Sequence, residues 1–195
     1  MSRRGRPIDP ALAGRICQAA LDELALCGIA GVSIDRVAAR ARASKASVYS
    51  RWSSKEELLY DVFREFAQPM DDVDTGTLLG DLMAVHRHFR CIAGGHDPTV
   101  ILAQLRAAAA FDEGLAAVLN DYMGAARAVV DGALGRAVTR AELPPDTDLH
   151  RAGEILFAMP LYRAATMTPA LSESEATQLI AMVVRGFGAR THSAA

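Results

Sequence analysis

The chain has 195 residues, 51% of them hydrophobic, with 21 lysines and arginines against 23 acids and a net charge of −2. A sizeable core is therefore available. No apolar run approaches the ~18 residues that would argue for a membrane-spanning helix. The basic opening MSRRGRPIDP passes into Pro and Asp rather than an apolar segment, which argues against a secretory signal and for a cytoplasmic protein with no membrane partner.

The modest net charge hides an asymmetry. Residues 1–55 carry +6 and the remainder −8, the pattern of a basic head that meets a polyanion and an acidic body with another task. Helix formers dominate and no segment alternates with period two, so the fold class expected is all-α, with about nine helices. Residues 1–8, with Arg3, Arg4 and Arg6, read as a flexible basic arm; it either lies in a minor groove or is a solvated tail. The first helix runs from about Asp9 to Leu26, with Ala13, Ile16, Cys17, Ala20, Leu24 and Cys27 on one stripe, and Cys27-Gly28 stops it. Ser33 caps a second helix that buries Ile34, Val37, Ala38 and Ala41; Ser44 caps a third, to about Ser50. Ser54-Lys-Glu-Glu57 is a capping box opening a fourth helix, whose apolar face is Leu58, Leu59, Val62, Phe63 and Phe66. Pro69 and the acidic run Asp71–Asp74 end it. Further helices fall at roughly 77–93, 98–110, 112–140, 147–167 and 173–188, punctuated by Gly94-Gly95, Asp97-Pro98, Pro144-Pro145 and Pro169. Residues 191–195 read as a disordered tail. Cys17, Cys27 and Cys91 fit no metal spacing and read as reduced, partly buried thiols.

Two short helices joined by a three-to-four-residue turn make a helix-turn-helix, whose second helix enters the major groove. Here that helix is 44–50. Its short side chains (Ser44, Ala46, Ser47) let backbone approach DNA, Lys45 reaches a base edge or a phosphate, and the Tyr49 hydroxyl reaches a phosphate, while Val48 and Trp52 turn inward. Lys55 and Ser33 stand at helix starts, where backbone N–H groups favour an anion.

The composite Ser33-Ile-x-x-Val-Ala-x-x-Ala-x-x-Ser44-Lys-x-Ser-Val-Tyr49-x-x-Trp52-x-Ser-Lys-Glu-Glu-Leu58 resembles the DNA-binding domain of the TetR family of bacterial transcriptional regulators. The likeness is strong over 9–66; further on, Arg140–Asp148 and Pro160-Leu-Tyr162 resemble one subgroup. The resemblance implies a DNA-binding domain over 9–53 and a helical ligand-binding and dimerisation domain over 54–190. It also implies a homodimer built from the last two helices of each subunit, and repression at a palindromic operator relieved by a small effector of unknown identity. The DNA contacts it implies are Ser33, Ser44, Lys45, Ala46, Ser47, Tyr49, Ser50, Arg51 and Lys55. Arg42 is an added candidate for phosphate, standing with Ala43 where the family usually has Gly-Val. Ala46 replaces a frequent Gly and Trp52 the commoner Phe.

In the body, the soft or polar residues Met83, His86, Arg90, Gln104, Tyr122 and Met123 are pocket candidates, with Arg106 and Arg127 beside them; Met83 and Met123 read equally as core filler and the arginines as surface. His86 and His88, two apart on a helix, cannot chelate one ion, so no metal is expected, and no cofactor. Ile155, Met159, Tyr162, Ile180, Val183, Val184 and Phe187 are dimer-interface candidates, on apolar faces wider than one core needs. A small helical enzyme is the reading from another class. No Ser/His/Asp arrangement, Glu-x-x-His pair or phosphate loop supports it. A helix-turn-helix regulator that is an activator, or that is controlled by a protein, is the remaining alternative.

Overall fold

In a computed structural model the described residues are 10–188, so the basic arm and the tail at 191–195 lie outside them. Nine helices and no strands are found among the described residues, and the chain divides into two compact units at Phe66/Ala67.

The first unit holds α1 (Pro10–Gly31), α2 (Ile34–Arg40), α3 (Lys45–Tyr49) and α4 (Lys55–Phe66). α2 and α4 pack on α1, and α3 packs on α2. Ile16, Leu24, Val37, Val48, Leu58 and Phe63 are wholly buried. The five apolar residues of the α4 stripe, from Leu58 to Phe66, are all buried, as a 3.6-residue period requires when one face meets a core. Trp52, also buried, donates Nε1–H to Asp61 Oδ2 at 2.8 Å, which pairs the one polar atom of a large apolar ring.

α1 continues past its expected stop. Gly28 takes a left-handed φ of 66°, the break that was expected there, and the chain then resumes a helical turn to Gly31. The Ser54 cap bonds the Glu57 amide at 3.1 Å, but the Glu57 carboxylate reaches back to the amide and hydroxyl of Ser53, one residue before the cap. Ser33 occupies the backbone position of a cap without a side-chain capping bond. Cys17 is half-buried, with its thiol pushed up to about 11 chiefly by burial, then by Asp61 and Glu65; Cys27 and Cys91 are exposed rather than partly buried.

The second unit holds α5 (Leu78–Cys91), α6 (Pro98–Ala109), α7 (Glu113–Thr139), α8 (Leu149–Ala165) and α9 (Glu173–Gly188). α7 packs against α5, α6 and α8, and α9 lies on α5. The core runs through Leu78 and Leu82 of α5, Val130, Ala133, Leu134 and Ala137 of α7, and Ala152 of α8. Small residues of α7, Ala133 and Ala137, lie in this core, and Gly153 of α8 sits beside the flexible end of Arg127. A Cβ there would lie 2.8 Å from the guanidinium, which reaches over α8 to the His150 carbonyl at 2.9 Å.

The acidic run after α4 does more than end a helix. Arg136 of α7 and Arg140, which caps its C-terminus, bind Asp72 at 2.7 Å and Asp74 at 2.8 Å respectively. Both also reach the buried Asp81. The Thr75 amide and hydroxyl donate to the other Asp81 oxygen at 2.6 and 2.7 Å. Burial alone would raise the Asp81 pKa; the Thr75 bonds, with Arg140 and Arg136, outweigh it and hold the carboxyl below its ordinary range.

Candidate nucleic-acid interface and effector cavity

The turn between α2 and α3 decides how α3 is presented. α2 ends in a Schellman motif: the Ala43 amide donates to Ala38 O at 2.9 Å and the Arg42 amide to Ala39 O at 3.2 Å. The residue that must be left-handed there is Arg42, with φ 52°. Such a conformation costs an L-residue about 1–2 kcal/mol and places the guanidinium at the exposed turn.

α3 is then fixed from both ends. The Ser44 hydroxyl accepts from the Ser47 amide at 3.1 Å, and Ser50 Oγ donates to Ser47 O at 2.9 Å. Val48 is its buried residue, while Ser44, Lys45, Ala46, Tyr49 and Ser50 are exposed and Ser47 and Arg51 half-buried. One turn of helix thus separates an anchored side from a face of hydroxyls, an ammonium and a phenol. Lys55 donates to Ile29 O at 3.4 Å, and Ser33 lies at the other end of α2.

The basic count of this unit is partly consumed internally. Glu23, 3% exposed, accepts from Arg36 at 2.5 Å and Arg40 at 3.0 Å. The Arg36 hydrogen bond leads, and with Arg40 it outweighs burial and holds the Glu23 carboxyl below its ordinary value. Arg36 and Arg40 therefore brace α2 against α1.

In the second unit a cavity of about 130 Å³ is bounded by α5 to α9. Of the pocket candidates, His86, Tyr122 and Met123 line it. Met83, Arg90 and Gln104 stand outside its lining: Met83 turns to α9, where its Sδ accepts from Thr177 Oγ1 at 3.5 Å, and Arg90 donates to Leu171 O at 3.0 Å. Among the dimer candidates, Met159 and Ile180 face the cavity, and Ile180, Val184 and Phe187 pack against the core. Ile155 and Tyr162 are 52% and 64% exposed, as is Met182 at 57%. Phe89, Phe157, Pro160 and Arg163 also line the cavity. Pro160 sits inside α8 and removes a backbone hydrogen bond from its wall; a proline in an otherwise helical pattern is the signal that marks this segment.

Two family profiles match the chain. The profile for bacterial regulatory proteins of the tetR family covers residues 16–62, and the tetracyclin repressor-like C-terminal domain covers 72–183. The chain belongs to the TetR family. It is 33% identical over 147 residues to the DNA-binding transcriptional repressor TetR of Mycobacteroides abscessus, covering 74% of this chain and 77% of that protein. It is 28% identical over 187 residues to the HTH-type transcriptional regulator YdeS of Bacillus subtilis, covering 95% and 94%. The crystal structure of FadR from Bacillus subtilis in complex with stearoyl-CoA shares the fold, with a TM-score of 0.67 at 21% identity over 92% of this chain and 99% of that one. This TetR-family chain is thus a helix-turn-helix transcriptional regulator, and among its described residues no helix is long and apolar enough to cross a membrane.

Proposed function

We propose that this TetR-family regulator is a cytoplasmic repressor. It binds a palindromic operator as a homodimer and leaves it when a small molecule fills the α5–α9 cavity. The observation that carries DNA reading is the orientation of α3: Val48 is wholly buried while Tyr49 is 53% exposed. Side chains of the opposite face therefore project where a major groove can receive them. On this reading Lys45 and Ser47 meet base edges, and Ser33, Arg42, Ser44, Tyr49, Ser50, Arg51 and Lys55 hold phosphates, with Ala46 allowing close backbone approach. The region 9–53 reads DNA and 54–190 serves ligand and partner. The exposed Ile155, Tyr162 and Met182 support a second subunit on α8 and α9, as a two-fold operator asks of its reader.

In the proposed mechanism, the two recognition helices of the dimer bind DNA when about one helical turn apart, ~34–36 Å. Effector binding favours a conformation that misses this spacing, and the loss of affinity is the coupling between the two sites. A solved protein of the same fold holds stearoyl-CoA, which supports a ligand in the body.

Fluorescence anisotropy on DNA from immediately upstream of the protein's own gene, across a salt series, tests the reading. Tight, sequence-selective, salt-sensitive binding that Tyr49→Ala removes is the expected result. Weak binding to every sequence, unchanged by that substitution, here and in a genome-wide binding selection, would overturn it.

A further inference from the structure

The walls of the α5–α9 cavity are largely apolar, and one permanently charged side chain stands among them, the half-buried Arg163 of α8. Its position is fixed. Arg163 donates Nε–H to the Pro169 carbonyl at 2.5 Å. The next residue, Ala170, is tied in turn to the start of α6, its amide donating to Asp97 Oδ2 at 2.9 Å. The Pro169 bond uses Nε and leaves the two terminal nitrogens of the guanidinium. Among the described residues these have no hydrogen-bond or ion-pair partner, and they are not sealed from solvent.

The charges around the cavity leave Arg163 uncompensated. No aspartate or glutamate lines it. Asp97, just outside, accepts from the Thr99 and Ala170 amides and the Thr99 hydroxyl. Glu175 accepts from the Ser172 hydroxyl and amide at 2.7 and 2.8 Å; these bonds lead the lowering of its pKa, and Arg163 adds least. The other titratable groups on the walls are neutral near pH 7. Burial, then Arg90, lowers the His86 pKa despite Glu173 and the Leu171 backbone, and burial raises that of Tyr122. The cavity therefore sets one positive charge beside apolar walls. A cation entering it would lose hydration without a counter-charge, and a dianion would be half compensated. A guanidinium fork matches the planar geometry of a carboxylate. The volume of about 130 Å³ is near the ~150 Å³ of an engineered cavity that holds one benzene.

We infer that the ligand of this cavity is a monocarboxylate with a compact apolar body, about the size of one aromatic ring, whose carboxylate pairs with the terminal nitrogens of Arg163. The body takes the place of water against Leu82, Phe89, Leu102 and Phe157, while the carboxylate stays at the solvent-reached guanidinium and keeps part of its hydration. The inference rests on the proposed effector role of the cavity for its regulatory meaning, but the binding chemistry stands separately.

The test is calorimetry of the full chain at pH 7 with 4-methylbenzoate, 4-methylbenzamide and 4-methylbenzylamine, which share one body and differ in charge, followed by operator-release assays with the same compounds. 4-Methylbenzoate is expected to bind roughly tenfold tighter than 4-methylbenzamide, the effect of about one charge-assisted hydrogen bond, and 4-methylbenzylamine weakest of the three. Arg163→Gln removes the charge but keeps an amide that can hold the Pro169 carbonyl; it should abolish the preference while 4-methylbenzamide still binds. Arg163→Lys, which keeps the charge without the fork, should retain part of it. In the parent chain, equal binding of carboxylate and amide, preferred binding of the amine, or no binding of any of the three overturns the ligand class, whatever the variants do. A preference unmoved by Arg163→Gln overturns the role of Arg163. Should 4-methylbenzoate bind as expected and leave the operator complex intact, the ligand class stands and the effector-release proposal fails.

Discussion

Lys45 Nζ lies 2.7 Å from Asp35 Oδ1, so a carboxylate of α2 holds the ammonium proposed to reach a base edge from α3. Both side chains are more than half exposed, and a pair of that kind contributes at most about 1 kcal/mol to folding. Its larger effect falls on binding, because DNA must take the ammonium from Asp35 while the carboxylate repels phosphate. Asp35→Asn is expected to leave the melting temperature nearly unchanged and to raise affinity roughly threefold to tenfold on operator and random DNA alike at low salt. Anisotropy on the two DNAs checks this. A loss confined to operator would mean that Asp35 positions Lys45 for base reading.

Arg42 sets stability against binding. Its left-handed φ of 52° suits glycine, so Arg42→Gly removes strain of about 1–2 kcal/mol, less the ~0.5–1 kcal/mol by which glycine loosens the unfolded chain. A small rise in melting temperature is expected, together with weaker DNA binding and a salt slope shallower by about one phosphate contact. Unchanged binding would remove Arg42 from the interface.

The outward face of α3 divides by role. Tyr49→Ala and Lys55→Ala are expected to weaken binding by similar factors on every sequence, since phosphate contacts carry no sequence information. Lys45→Ala is expected to alter preference among sites at one or two base pairs. A randomised-site selection with each variant separates these outcomes. Lys45→Ala with preference and affinity intact would show that another face of α3 meets the bases.

Acid sensitivity should come from two buried carboxylates. Glu23 and Asp81 both have folded pKa values below their ordinary ones, near 4.5 and 3.8. A depressed folded pKa contributes stability that is complete above the unfolded value and lost as pH falls through the folded one. Stability should therefore hold from neutrality to about pH 5 and fall steeply below about pH 4. Glu23→Gln, whose arginine partners are half-exposed, is expected to cost about 1–2 kcal/mol at pH 7 after allowance for that exposure. It should also flatten the acid limb. Denaturant melts of the variant and the parent between pH 3 and 7 measure both effects; parallel curves would refute the assignment to Glu23.

How much of this was legible in the sequence depends on range. The α4 stripe, the Ser44 cap and the inward Val48 and Trp52 follow from spacing and short-range bonds, and the structure places them as spacing demands. The Glu23–Arg36–Arg40 group joins residues 13 and 17 apart, and Asp81 meets Arg136 and Arg140 across 55 and 59. In a charge count these are only basic head and acidic run. Pro144-Pro145 and Pro169 marked two of the helix ends, but the left-handed residues that close them, Ala141 and Met167, and Arg42 after α2, are not glycines, so composition did not mark the turning residue itself. Periodicity marked α8 and α9 as broadly apolar, but not which stripe faced the cavity; Met159 and Ile180 proved to line it.

The proposed dimer makes the last prediction. Ile155 and Tyr162 are seven residues apart on α8, two helical turns, so they share one face, and both are largely exposed. Because neither lines the cavity or belongs to the buried core, a charge placed there should spare the fold of the subunit. Ile155→Asp combined with Tyr162→Asp is expected to convert a sedimenting dimer to monomer while keeping the helical circular dichroism signal. Operator affinity should then fall by about 100-fold or more, because a monomer engages one half-site and loses the high effective concentration of the second. An unchanged dimer would place the two-fold interface on another surface, and an unchanged affinity in a proven monomer would separate operator binding from dimerisation.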